Sequence, residues 1–160
     1  MKPRGGIMVV ALLAVAGCAS QKTGNPSQSI TAAPSGDGDL MIGALAQSAL
    51  PAGSCGMVLW TLEADQPTPI YRQIAGKDGE IVLNGKSLSL PVIEKSGASA
   101  FGVFEESALA AEKVTATVKV RFGLGFEGGV YLERGLLTFE SETGWRSVIP
   151  AAGIAGCRAK

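Results

Sequence analysis

The sequence contains no histidine, and it is sparing with cysteine and aromatic residues. Among its 160 residues are three cysteines, two tryptophans, two tyrosines and five phenylalanines. Without imidazole, the chain lacks the usual general base of serine and cysteine hydrolases and the commonest ligand of catalytic zinc. The glutamates are scattered, with no spacing signal for the paired carboxylates of a glycoside hydrolase. We therefore expect no enzymatic activity, no cofactor and no metal.

The chain also lacks an excess of either charge. It has 14 basic and 14 acidic residues, and removing Lys2 and Arg4 with a signal peptide would leave 12 against 14. The sequence has no cluster of basic residues and no known nucleic-acid-binding motif, which argues against a nucleic-acid partner. The glycine-rich residues 123–131 lack the lysine and hydroxyl residue of a phosphate-binding loop.

The one long apolar run lies at the start of the chain and ends in a cysteine. Residues 7–16 are apolar or small, and the run is too short to cross a bilayer as a helix. The stretch Val15-Ala16-Gly17-Cys18 resembles the cleavage site of bacterial lipoprotein precursors. That resemblance implies a signal peptide over residues 1–17, cleavage before Cys18, and fatty acyl chains such as palmitate on that cysteine. The alternative is an ordinary secretory signal with an incidental Cys18.

The lipoprotein resemblance also implies a location. An aspartate after the lipidated cysteine typically retains such proteins in the inner membrane, and this chain has Ala19 there. We expect a membrane attachment through the lipid, at the outer membrane and facing the periplasm. Residues 18–38 form the lipidated N-terminus and a tether rich in Ser, Gly, Pro, Thr and Gln. As a flexible coil of about 20 residues, the tether would span about 25 Å.

Two further cysteines bracket the remaining region. Cys55 and Cys157 stand near its two ends, in a chain exported to an oxidising compartment. We predict a disulfide between them. In the chain-entropy model, closing a loop of about 100 residues stabilises a fold by about 4.7 kcal/mol. Two buried free thiols are the alternative.

A short helix is predicted over residues 39–52, ahead of the main domain. Asp39 is a capping residue, the segment is rich in apolar and small side chains, and Pro51 ends it. We expect the helix to be buried against the domain, with contact to a membrane or partner as the functional alternative.

Residues 53–160 have the pattern of a β-domain. Apolar and polar residues alternate over residues 114–122, which is typical of a half-buried strand. Asn84-Gly85 predicts a type I′ hairpin turn, and a second hairpin is expected across residues 141–144. Helix formers at residues 105–112 leave a short helix open there. Seven or eight strands predict a small antiparallel β-barrel or sandwich.

Two segments carry the candidate binding residues. The glycine-rich residues 123–131 predict a wide hairpin loop that carries Phe126 and Tyr131, and aromatic residues on adaptable loops suit contact surfaces. The second segment is a small polar loop over residues 95–101, with Ser96, Ser99 and Phe101. The two tryptophans are expected in the core.

A lipid anchor, a tether, a β-domain bracketed by two cysteines and a Ser-Gly loop before an aromatic resemble the membrane-bound inhibitors of C-type lysozyme. Ser96-Gly97 with Phe101 is one residue longer than that family's Ser-Gly-x-x-Tyr motif, and residues 104–113 lack its aromatic-x-Lys-Gly motif. The resemblance implies that Ser96 would enter the lysozyme cleft.

Three functional expectations result. The first is a non-enzymatic envelope lipoprotein whose β-domain binds a protein or glycan through loops. The second is a structural or assembly-supporting lipoprotein of the outer membrane, in which the predicted helix also contacts a larger complex. The third and narrowest is a lysozyme-inhibitor-like protein.

Overall fold

The computed structural model describes residues 40–62, 65–111 and 113–160. These residues form ten β-strands, all paired antiparallel, and no helix. The strands are β1 (Ile42–Gly43), β2 (Cys55–Thr61), β3 (Pro69–Ile74), β4 (Gly79–Leu83), β5 (Lys86–Leu90), β6 (Val92–Ala100), β7 (Val103–Ala111), β8 (Val114–Phe126), β9 (Gly129–Ser141) and β10 (Arg146–Cys157). The all-β antiparallel class is therefore confirmed. The predicted number of seven or eight strands is too low.

The strands form one open sheet. Its order is β1-β4-β3-β2-β10-β9-β8-β7-β6, and β5 pairs with the other side of β4. Of the two predicted forms, barrel or sandwich, the barrel is wrong, because β5 and β6 do not pair with each other among the described residues. Pro91, between β5 and β6, has no N–H to donate to a ladder, and its carbonyl accepts from the Ala110 N–H of β7 (3.0 Å).

One face of this sheet supplies the hydrophobic core. The alternation predicted over residues 114–122 is confirmed, since Val114, Ala116, Val118 and Val120 are buried. Buried residues from β2, β3, β4, β9 and β10 join the same cluster. Trp145 also packs against this core, whereas Trp60 is half-buried.

The helix predicted over residues 39–52 is wrong for its described part, residues 40–52. Asn84 fixes Met41 at the edge of β4, because the Met41 N–H donates to Asn84 Oδ1 and the Asn84 N–H donates to the Met41 carbonyl. Farther along, Arg72 and Arg158 donate to the carbonyls of Ala49 and Leu50. A short segment gains little from helix formation alone, so these contacts with the domain decide its conformation. We call residues 44–54 the N-terminal strap.

Both predicted hairpins are confirmed. Asn84 and Gly85 have φ values of 50° and 75°, as a type I′ turn requires, and join β4 to β5. At the second hairpin, Arg146 pairs with Glu140 across the turn. Residues 105–112, where a short helix was one possibility, lie mainly in strand β7 instead. Ser107 and Leu109 of this strand face the core.

The two predicted loops are mostly strand. Residues 95–100 belong to β6, where a register shift between Ser96 and Ser99 accommodates Gly97. The glycine-rich segment is not a wide loop, because β8 continues to Phe126 and β9 begins at Gly129. A bulge absorbs the one extra residue of β8 between Phe122 and Gly125.

The predicted disulfide is confirmed. Cys55 and Cys157 are directly opposite each other in the β2–β10 ladder and are bonded. In the described part of the chain, no helix is long and apolar enough to cross a membrane. The predicted signal peptide, Cys18 and the tether lie outside the described residues.

Candidate functional site

Phe126 and Tyr131 lie together at the tip of the β8–β9 hairpin. Their ring centroids are 5.0 Å apart, with the planes inclined at 50°. Both side chains remain open to solvent, with exposed fractions of 41% for Phe126 and 52% for Tyr131. Two of the five predicted binding residues therefore form one exposed aromatic pair.

Local backbone geometry brings the pair together. Phe126 is opposite Gly129 in the ladder, and its ring occupies the place that a side chain at Gly129 would take. Gly128, with φ at 81°, permits the tight turn between the strands. The ring of Phe126 thus covers a glycine and also reaches Tyr131 two residues farther along β9.

Ile154 extends this surface onto the next strand, and the sequence interpretation missed it. It is directly opposite Tyr131 in the β9–β10 ladder, so the two side chains share a face of the sheet. Its exposed fraction is 38%. No sequence pattern marked it, because its place beside Tyr131 follows from the register of β9 and β10. We call Phe126, Tyr131 and Ile154 the tip patch.

The other three predicted residues lie on the β6–β7 hairpin and do not join the tip patch. Ser96 and Ser99 are exposed and are paired with Glu106 and Phe104 of β7. Phe101 occupies the turn with φ at 52° and packs against the core. Phe101 therefore anchors the hairpin, whereas the two serines remain accessible.

Glu105 holds the bulged strands on both sides of β7. Its Oε1 accepts from the Phe122 N–H of β8, and its Oε2 accepts from the Ala98 N–H of β6, both at 3.3 Å. Each amide lies beside a register shift, where the regular ladder is interrupted. One carboxylate thus satisfies donors that the two bulges leave unpaired.

The described residues include no group of three or more Cys, Asp and Glu side chains placed to hold a metal ion. Among the titratable groups of residues 40–62, 65–111 and 113–160, one is strongly perturbed. Tyr71 is fully buried, and desolvation raises the pKa of its phenol far above the ordinary value. Its hydroxyl lies 3.3 Å from Oε1 of Gln73, which fits a structural role in the core.

The sequence matches no protein-family model, and no curated protein or solved structure is significantly similar to it.

Proposed function

We propose that this chain is a non-enzymatic lipoprotein of the bacterial envelope whose β-domain binds a protein partner through the tip patch. The observation that carries the proposal is the cluster of Phe126, Tyr131 and Ile154 on one exposed face. Aromatic residues dominate the binding energy of protein interfaces, and large exposed apolar side chains that adjoin one another mark such interfaces.

The exposure of the tip patch favours a protein over a glycan. The patch lies at a hairpin turn with its three side chains 38–52% exposed, and the tyrosine hydroxyl gives it a polar margin. A protein partner can cover such an exposed surface with a complementary one, whereas small ligands usually bind in concave sites.

The placement at the envelope rests on the sequence. Residues 15–18 resemble a lipoprotein cleavage site, and Ala19 favours the outer membrane. In this proposal, the acyl chains on Cys18 anchor the protein with its domain facing the periplasm, and residues 19–38 let the domain reach its partner. The disulfide supports export, because such bonds persist in oxidising compartments.

The proposal is tested by photo-crosslinking in the native host, with the full-length protein. A crosslinking amino acid at Tyr131 should give a discrete protein adduct, and one at Thr143, exposed on the β9–β10 turn, should not. Adding Phe126→Ser to the Tyr131 crosslinker should reduce the adduct severalfold. Equal labelling from both positions, or an adduct indifferent to Phe126→Ser, would contradict the proposal. An adduct removed by glycan digestion would indicate a glycan instead.

The other two functional expectations from the sequence depend on different residues. The structural or assembly-supporting role stays a proposal, but residues 40–50, which would contact a larger complex, lie against the domain and form no helix. Lysozyme inhibition depends on Ser96, which is exposed on the bulged strand β6. If the protein inhibits C-type lysozyme, Ser96→Ala should weaken the inhibition while Ser147→Ala, half-buried in β10, should not.

A further inference from the structure

A polar groove of about 570 Å³ lies on β3, β4 and β5, with β2 between these strands and β10, the nearest strand of the tip patch. Its volume falls within the range of small-ligand sites, although it is widely open to solvent. None of the five predicted binding residues contributes to it.

An ion pair between Arg72 and Glu80 lines part of the groove. The Nε and Nη2 atoms of Arg72 both donate to Oε2 of Glu80, and Nη1 donates to the carbonyl of Ala49 in the N-terminal strap. The Arg72 side chain is only 14% exposed, and its bond to the Ala49 carbonyl fixes the guanidinium that holds Glu80. Oε1 of Glu80 accepts no hydrogen bond from any other described residue. A rigid carboxylate is therefore presented with one oxygen available.

The neighbouring strand β5 and the β3–β4 turn carry further unused donors and acceptors. Ser89 Oγ lies 3.1 Å from Oδ2 of Asp78, which orients that carboxylate and leaves its Oδ1 without a partner in the described chain. The Ser87 hydroxyl and the Lys77 ammonium also line the groove and make no side-chain contact within 40–62, 65–111 and 113–160 that would occupy them. Acceptors and donors are thus interspersed along one surface.

The charge balance of the groove selects among ligands. Two cations, Arg72 and Lys77, stand beside two carboxylates, Asp78 and Glu80, so the lining has no formal net charge. A strongly charged ligand would meet a like charge within the same groove whatever its sign. A neutral ligand with many hydroxyl groups would instead find both acceptors and donors, together with an apolar contact from Ile74.

We propose that this groove is a binding site for a neutral oligosaccharide. The inference goes beyond the function proposed above, because it concerns different residues and does not depend on the tip patch or the lipid. No aromatic residue lines the groove to stack on a sugar ring. A few hydrogen bonds without aromatic stacking imply weak binding, with a dissociation constant on the order of millimolar.

Ligand-observed saturation-transfer NMR on the full-length protein in detergent micelles tests the proposal. Three tetrasaccharides of different charge serve as probes: neutral chitotetraose, cationic tetraglucosamine and anionic tetragalacturonate. Saturation transfer is expected to chitotetraose at millimolar concentration, with weaker or no transfer to both charged probes. Absence of transfer to all three, or stronger transfer to either charged probe, would overturn the proposal.

Variants locate the binding in the groove. Ser87→Ala and Asp78→Asn each remove or alter one polar contact at the surface, and each should weaken chitotetraose binding by about 2- to 10-fold. Glu142→Gln, on the exposed β9–β10 turn, is the matched control and should have no effect. Phe126→Ser should also leave this binding unchanged, which separates the groove from the tip patch. Chitotetraose binding that neither groove variant weakens would contradict the assignment.

Discussion

At the scale of single residues, the chain places a few polar groups deep inside an apolar core. Tyr71 and Gln73 are both buried on β3, with the Tyr71 hydroxyl 3.3 Å from Gln73 Oε1. Burial raises the pKa of the Tyr71 phenol, because the core disfavours its anion. The neutral phenol therefore contributes stability that is fully present below the pKa of the unfolded chain, about 10, and is lost as the pH rises above that value.

The two tyrosines of the sequence allow this effect to be isolated. In Tyr131→Phe, Tyr71 is the only tyrosine, so phenolate absorbance reports on it alone. We expect no phenolate signal until the domain unfolds in alkali, with absorbance and circular dichroism changing together. Phenolate absorbance that develops at about pH 10 while the circular dichroism stays native would contradict the burial of Tyr71.

Glu105 offers a second test at this scale. Glu105→Gln replaces one acceptor oxygen by a donor NH₂ that faces a backbone N–H, so an amide beside a bulge loses its partner. The free energy of unfolding should fall by about 1–2 kcal/mol, measured by urea denaturation. The control is Glu106→Gln, whose exposed pair with Lys119 should matter by less than about 0.5 kcal/mol. Equal effects at the two positions would contradict the bridging role.

At the scale of elements, the N-terminal strap shows how tertiary contacts decide a local conformation. Leu45 is buried, and its N–H donates to the Pro69 carbonyl at 2.8 Å. At the other end, Gly53 and Ser54 exchange backbone hydrogen bonds with Arg158, each at 2.9 Å. The strap is therefore attached to β3 and to the residue that follows β10.

Arg158→Ala should loosen the strap without unfolding the sheet. The variant loses the guanidinium bond to the Leu50 carbonyl, and we expect amide hydrogen exchange at Gly53 to accelerate by about 2- to 10-fold. Arg146→Ala is the control, because Arg146 forms an exposed pair with Glu140 on a different part of the sheet. Unchanged exchange in Arg158→Ala would show that backbone contacts alone hold the strap.

Sequence periodicity predicted strands best where one face of the strand is buried and the other is exposed to solvent. β8 and the Asn84-Gly85 hairpin were predictable, because alternation and turn chemistry are local properties. Residues 40–54, which include the strap, were not, because their conformation depends on Asn84, Arg72 and Arg158, which are distant in sequence. The strand at residues 95–100 was hidden by Ser and Gly, whose place in β6 depends on a bulge and on Glu105.

The candidate site was predictable only in part, for the same reason. Phe126 and Tyr131 were accessible to sequence reasoning, since aromatic residues stand out in a glycine-rich segment. Ile154 was not, because its contact with Tyr131 follows from the register of β9 and β10. The polar groove needs the pairing of β3 with β4 as well as the predicted β4–β5 hairpin, and no sequence pattern indicated that pairing.

At the scale of the whole molecule, the disulfide links β2 and β10, which are adjacent strands near the centre of the open sheet. Cys55 begins β2, Cys157 ends β10, and 102 positions of sequence separate them. Cys55→Ala combined with Cys157→Ala should lower the free energy of unfolding by up to about 4.7 kcal/mol, measured by urea denaturation. A loss below about 0.5 kcal/mol would mean that the ladder alone determines stability.

The proposed function depends above all on the lipid at Cys18, which would fix the tip patch at a membrane surface. Mass spectrometry of the native protein, extracted from its host with detergent, tests this most directly. We predict that the mature polypeptide begins at Cys18 and carries a thioether-linked diacylglyceryl group and an acylated amino terminus. A polypeptide that retains residues 1–17, or that begins after Cys18, or that carries an unmodified Cys18, would contradict the account.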